Sequence, residues 1–285
     1  MDKNIILIMV DQQKTNSLPF YGNSLVKTPN LVDLASDGTI FKNAFTSCPL
    51  CVPSRVSLFT SQYPSVHGSV NNDFLYSSRN SNFISILKQH GFKTGLAGKN
   101  HCFNDNPEEL FEFYEVCDHF GPLSNSLSNQ QKSSRIFLEK SNVLRGAWGS
   151  IKNPYDSKAL VTSWVTDKAI EFVSENQLND FFLWYSIPDP HVPFHACEPF
   201  YDMYPIENIE LPPFNSNEFS NKPNAQFLDY KVMRGDLIQD DEIRKVMSVY
   251  YGMNTFIDSE IGRFLHTLKH LDIYDKSVIV YISDH

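Results

Sequence analysis

Four short clusters in this chain carry side chains able to hold a cation, an anion or a proton. They are Asp11 with Gln12, Lys99-Asn100-His101, Asp189 with His191, and Asp284 with His285. Asp11, Asp284 and His285 together offer two carboxylates and an imidazole, a donor set suited to a hard divalent cation such as Ca2+, Mg2+ or Mn2+. A fifth cluster, Cys51-Val-Pro-Ser-Arg55, sets a thiol about one helical turn from a guanidinium. Pro53 fits the first turn of a helix, which puts Cys51 just before the helix N-terminus. There the unpaired amides and the helix dipole favour a thiolate or a bound oxyanion, and Arg55 adds a fixed positive charge. Each residue alone also has a plainer reading. Asp11 could cap a turn, Lys99 and His101 could form a solvated turn, and His191 could merely hydrogen-bond its loop. Asp284 and His285 could be polar residues at the chain end, and Cys51 a half-buried structural thiol. Cys48 and Cys51 form a C-x-x-C, leaving open a redox pair or half a zinc site, although no second such pair follows.

The elements that precede the clusters separate these readings. Apolar runs over 5–10, 181–187 and 277–282 predict buried strands, and 93–98 reads as a short strand. Helices are expected over 30–37, 81–90, 160–175 and 241–271. The last has Val246, Val249, Met253, Phe256, Ile257, Ile261, Leu265 and Leu268 at helical spacing. Alternating strands and helices predict an α/β fold with a mostly parallel sheet covered on both faces. The four clusters follow the four strands. In a parallel sheet those positions share one edge, where open α/β folds bind ligands. One shared site is therefore expected. The segments 121–158 and 188–235, rich in Ser, Asn and Pro, read as long surface excursions that shape its pocket.

At 285 residues the chain is long enough for one large domain over 1–285. Its hydrophobic content of 41% excludes a disordered or collagen-like chain. Lys plus Arg is 24 against 33 for Asp plus Glu, a formal charge of −9 that argues against a nucleic-acid or basic membrane-surface binder. The opening apolar run is too short for a signal peptide, which points to the cytoplasm and reduced thiols, with Cys102, Cys117 and Cys197 as buried cysteines.

Cys51-Val-Pro-Ser-Arg55 followed by Ser57-Leu-Phe-Thr60 resembles the signature of the type I sulfatases, in the alkaline phosphatase superfamily. The resemblance continues through Asn4 to Asp11, Thr28-Pro-Asn-Leu, Gly98-Lys99-Asn-His101, Pro190-His191-Val-Pro-Phe194, Tyr251-Gly-Met to Asp258, and Ser283-Asp-His285. The Asp-His pair is nearest in style to the choline-sulfatase, iduronate-sulfatase and phosphonate monoester hydrolase branches. The resemblance implies a three-layer αβα fold and a longer protein, so that the C-terminal portion and its subdomain are expected to be missing here. It implies that a maturation enzyme converts Cys51 to formylglycine, whose hydrate attacks the sulfur of a small-molecule or saccharide sulfate ester. Asp11, residue 51, Asp284 and His285 would bind the metal, Ca2+ before Mg2+ or Mn2+. Arg55 would hold the hydrated aldehyde, and His101 would orient it and remove a proton. Lys99 and His191 would bind the sulfate oxygens, and either His191 or Lys99 would protonate the leaving oxygen. Asn72 is a further substrate-contact candidate, with a turn asparagine as the alternative. Phosphate or phosphonate monoester hydrolysis by the same residues, a non-catalytic fragment, and a homo-oligomer are the remaining expectations.

Overall fold

The apolar run at the start of the chain forms the centre of a parallel sheet. In this computed structural model, residues 4–124, 126–145, 149–215, 217–233, 235 and 237–285 are described. Residues 1–3 of the opening run, and a few positions within the two Ser/Asn/Pro-rich segments, lie outside them. In chain order the elements begin with β1 (Asn4–Val10), α1 (Pro29–Ser36), α2 (Cys51–Thr60), α3 (Pro64–His67), β2 (Tyr76–Ser77) and α4 (Phe83–Gln89). Next come β3 (Lys93–Gly98), β4 (Phe103–Asn104), β5 (Phe113–Val116), α5 (Asn129–Arg145), β6 (Ser150–Lys152) and α6 (Val161–Glu175). The chain ends with β7 (Phe181–Ile187), β8 (Phe194–Ala196), α7 (Asn224–Val232), α8 (Asp240–His270) and β9 (Ser277–Ser283).

The central sheet has the order β5-β3-β7-β1-β9, with every pairing parallel. β1 is apolar from Ile5 to Val10 because both of its faces are covered. Ile6, Ile8 and Val10 pack with Val165 and Phe172 of α6 and with Ile257 and Phe264 of α8. Leu7 and Met9 turn the other way, onto Val52, Val56 and Phe59 of α2 and Ile84 of α4. Each fully buried side chain of this kind contributes about 1.5–3 kcal/mol, so the two clusters fix which helix lies on which face. Helix α8 starts at a reciprocal cap between Gln239 and Glu242, and its first turn is acidic and its last basic, matching the helix dipole. The Asp258 carboxylate on α8 accepts from the Asn30 and Leu31 amides and so caps α1 from a distance.

Register decides where the reactive clusters fall. Val10 pairs with Ile187 and Ser283, and Gly98 with Ser186 and Val116, so all five strands end level with one another. Gly98 sits at φ +117°, and a Cβ there would lie 1.8 Å from the Ser186 carbonyl oxygen. Only glycine lets the chain turn at this point and deliver Lys99 to the edge.

Several expectations need correction. The excursions are not structureless: 121–158 contains α5 and β6, and 188–235 contains β8 and α7. Helix α5 escaped detection because its sequence is polar, with Leu138 buried and Ile136 half exposed. Strand β9 is an edge strand with Val278 and Val280 exposed, rather than a fully buried one. Cys51 is the first residue of α2 instead of the residue before it, with Leu50 as the cap. β5 was not expected at all.

Candidate active site

The level strand ends place Asp11, Lys99, Asp189 and Asp284 along one edge, and α2 brings Cys51 and Arg55 beneath them. Arg55 is completely buried, and its guanidinium organises the cluster. Nε donates to Asp284 Oδ2 at 2.9 Å, Nη2 reaches Asp11 Oδ2 at 3.3 Å, and Nη1 donates to Ser186 Oγ and to the Lys99 carbonyl, each at 3.0 Å. Burial alone would make this guanidinium easier to deprotonate, but Asp284 and Asp11 outweigh it and bind the proton more tightly. By occupying Oδ2 of both carboxylates, Arg55 leaves Oδ1 of each turned toward Cys51 and His285. Such outer contacts fix ligand orientation at metal sites. Ser54 secures the arrangement by donating to the Asp284 carbonyl.

The ligand atoms of Asp11, Cys51, Asp284 and His285 all lie within 4.8 Å of one another. Cys51 Sγ is 3.3 Å from His285 Nε2 and 3.7 Å from Asp11 Oδ1. His285 Nε2 is 3.8 Å from Oδ1 of each aspartate. Gln12, held at φ 63° with its amide donating to Asp284 Oδ1, leaves its own buried Oε1 without a partner among the described residues. Two carboxylates and an imidazole at one point fit a hard divalent cation.

On the other side of Asp11 lies Lys99, whose Nζ donates to Asp11 Oδ2 and sits 3.0 Å from His119 Nε2. The His119 ring stacks on His191, centroids 3.9 Å apart, and His191 Nδ1 donates to the Val192 carbonyl at 2.7 Å. His101, at φ 36°, belongs to the same electrostatic neighbourhood, and its Nδ1 is buried without a partner among the described residues. Asn72 lies next to the signature helix, where Oδ1 accepts from the Val52 amide at 3.1 Å and caps its first turn. Asp189 does not join the cation donors. Its carboxylate accepts from Thr162 Oγ1 at 2.5 Å and lies 3.7 Å from buried His195.

These surroundings set the protonation states. Burial opposes ionisation of Asp11, but Lys99 and Arg55 overcome it and hold the carboxyl far below the usual range. The Cys51 thiol is pushed up to about 11 by burial and by Asp11. This reverses the expectation that a helix N-terminus and Arg55 would favour the thiolate: two neighbouring carboxylates and desolvation outweigh the dipole. With no cation bound, an unmodified Cys51 is therefore held as the thiol. Burial and the Lys99 charge push His101 down to about 4 and His119 to about 2, and burial also lowers His191. All three are neutral imidazoles at pH 7. His119 is the residue that the sequence reading missed. It follows β5, and the rule that flagged the other strand ends would have found it had that strand been recognised.

Fold and site together define a three-layer, alkaline-phosphatase-like α/β protein in which a group of two carboxylates, a thiol and an imidazole that could hold a cation lies beside Lys99. The sulfatase family profile matches residues 3–285, and the chain belongs to the sulfatase family. It is 29% identical over 308 residues to an arylsulfatase of Clostridium perfringens, covering all of this chain and 63% of the relative. It is 28% identical over 311 residues to the iduronate 2-sulfatase of Homo sapiens, covering 99% of this chain and 54% of that protein. The phosphonate monoester hydrolase of Agrobacterium radiobacter shares the fold, with a TM-score of 0.74 at 22% identity over 99% of this chain and 62% of that one. The chain thus spans roughly three-fifths of the length of the proteins it matches. Among the described residues no helix is long and apolar enough to cross a membrane.

Proposed function

We propose that the protein hydrolyses a sulfate ester to an alcohol and inorganic sulfate, using a formylglycine made from Cys51. The observation that carries this reading is the convergence of Asp11, Cys51, Asp284 and His285 within 4.8 Å, with Lys99 bound to the same Asp11. Asp11, Asp284, His285 and residue 51 would hold a divalent cation, Ca2+ in the first instance, which when bound supplies positive charge that activates a hydroxyl and polarises the sulfate. Arg55 keeps both carboxylates in their ligating orientation. Lys99 faces the charge that develops on the sulfuryl oxygens, the kind of preorganised electrostatic contact that lowers barriers most. The leaving oxygen takes its proton from Lys99, or from His191, which has Nδ1–H committed to Val192 and must first take up a proton at Nε2 to serve. His101, neutral at pH 7, accepts a proton from the side chain of residue 51. Asn72 spends Oδ1 on α2, and its amide nitrogen is assigned to the substrate. The substrate is a small-molecule or saccharide sulfate ester, and a formylglycine-generating enzyme is the required partner. We assign the protein to the cytoplasm.

A second reading, hydrolysis of phosphate or phosphonate monoesters by the same residues, is favoured by the fold shared with phosphonate monoester hydrolases and by the Asp284-His285 pair. Assay of the matured, Ca2+-loaded protein with 4-nitrophenyl sulfate and with a phenyl phosphonate ester tests both. Turnover of the sulfate at the higher kcat/KM supports the first, and turnover of the phosphonate alone supports the second. Absence of both from protein shown to carry the modification contradicts the hydrolase reading.

A further inference from the structure

We infer that His119 is a positioning residue for Lys99, fixing the direction in which the lysine presents its remaining N–H to the substrate anion. The inference rests on the sulfate-ester reading for the identity of that anion, but not for the geometry itself.

An ammonium group has three N–H donors and no acceptor. Lys99 Nζ gives one to Asp11 Oδ2 and meets His119 Nε2 at 3.0 Å. Since the lysine can only donate, Nε2 must carry the lone pair and Nδ1 the proton, which makes His119 a neutral acceptor. Two fixed acceptors on a tetrahedral ammonium leave the third N–H a single direction. Without His119, Lys99 is held by Asp11 alone and can rotate about that contact.

The surroundings of His119 hold it still. Asp118, next in the chain, accepts at Oδ1 from the Phe120 and Gly121 amides and is gripped by Arg135 of α5 at 2.9 and 2.6 Å. The Asp118 amide donates to Gly121 O, and Cys117 N to Gly98 O, so the turn is tied to the end of β3 that carries Lys99. The imidazole face lies on His191 at 3.9 Å. His119 Nδ1 is buried with no acceptor among the described residues. An unpaired buried N–H of this kind costs about 1–3 kcal/mol. A phenyl ring would keep the stack without that cost, so packing alone does not account for an imidazole here. The contact to Lys99 does.

Two substitutions separate the acceptor from the ring. His119→Phe keeps an aromatic face against His191 and removes the acceptor. His119→Gln keeps an acceptor near the Nε2 position and removes the ring. Crystal structures of both and of the wild type, each matured and Ca2+-loaded, would be compared with kcat and KM for 4-nitrophenyl sulfate. The expected result is that His119→Phe lets Lys99 Nζ move and lowers kcat by about 10²-fold, the cost of a misplacement near 1 Å, with a smaller change in KM. His119→Gln keeps Lys99 in place and recovers most of kcat. The inference is overturned if Lys99 stays fixed and kcat is unchanged in His119→Phe, or if His119→Gln is the more damaged of the two. A wild-type protein that leaves the ester intact counts against the sulfatase reading alone, because the position of Lys99 Nζ in the three structures still decides the role of His119.

Discussion

Replacing Arg55 by methionine tests how the site is held together. The wild-type cluster balances two carboxylates, Asp11 and Asp284, against two cations, Arg55 and Lys99, all buried. Methionine fills a similar length but leaves one negative charge uncompensated and withdraws the Nη1 donor from Ser186 Oγ and the Lys99 carbonyl, which keep only their bond to each other. Removing one partner of a buried ion pair costs about 3–5 kcal/mol. For a chain of this size each kcal/mol shifts Tm by roughly 2–4 °C, so the metal-free variant should melt on the order of 10 °C below wild type. A divalent cation supplies the missing positive charge, so the deficit should narrow when Ca2+ is added. Arg55→Lys, which keeps the charge but not the planar fork, should fall between the two. Differential scanning calorimetry in EDTA and in Ca2+ reads all three. An Arg55→Met protein melting within a degree of wild type in EDTA would refute the view that Arg55 neutralises and aims the two carboxylates.

Ca2+ should raise the wild-type Tm by mass action, with about 2.7 kcal/mol gained when the free ion exceeds its Kd a hundredfold. Asp11→Asn and Asp284→Asn should abolish the gain in the same calorimeter, and a full gain in either contradicts the ligand assignment. Gly98→Ala forces a Cβ into the Ser186 carbonyl at a left-handed φ, so it should cost several kcal/mol, with about 1–3 from the backbone conformation alone; urea unfolding reads this loss. Acid should destabilise the metal-free protein progressively. His101 and His119 titrate at about 4 and about 2 when folded against 6.5 ordinarily, so the unfolded chain binds protons first as the pH falls below about 6.5. The depressed Asp11 carboxyl adds a loss below about 4 by the same linkage. Chemical denaturation at stepped pH should therefore show stability falling steadily from pH 7 to 4, and a flat profile across that window contradicts these environments.

Much of the site was legible because the strands that carry it show in the sequence, β1, β7 and β9 as apolar runs and β3 as a short strand between α4 and its closing glycine. β1, β3, β7 and β9 announce themselves, and the residue after each is where a parallel sheet puts its chemistry. The Cys51 signature was legible through Pro53 and Arg55. Less legible was anything that depends on contacts between distant segments. Strand β5 is four half-buried residues at a sheet edge, too short to give a run, and His119 was hidden with it. Helix α5 is mostly polar in sequence, with Leu138 buried, and α7 buries no residue, so neither carries the long periodic signal that betrayed α8. The Cys51 thiol was misjudged because the helix N-terminus is local in sequence, whereas Asp11 and Asp284, which raise it, come from other strands.

Residue 51 carries the central claim, and peptide mass spectrometry reads it directly. The protein would be produced alongside a formylglycine-generating enzyme, digested with trypsin, and the peptide ending at Arg55 weighed. Conversion of the thiol to the aldehyde lowers the mass by about 18 Da, and that shift at Cys51, with none at Cys48, is the predicted result. A peptide that keeps an unmodified cysteine at 51 under these conditions would contradict the mechanism, which needs the aldehyde at that position.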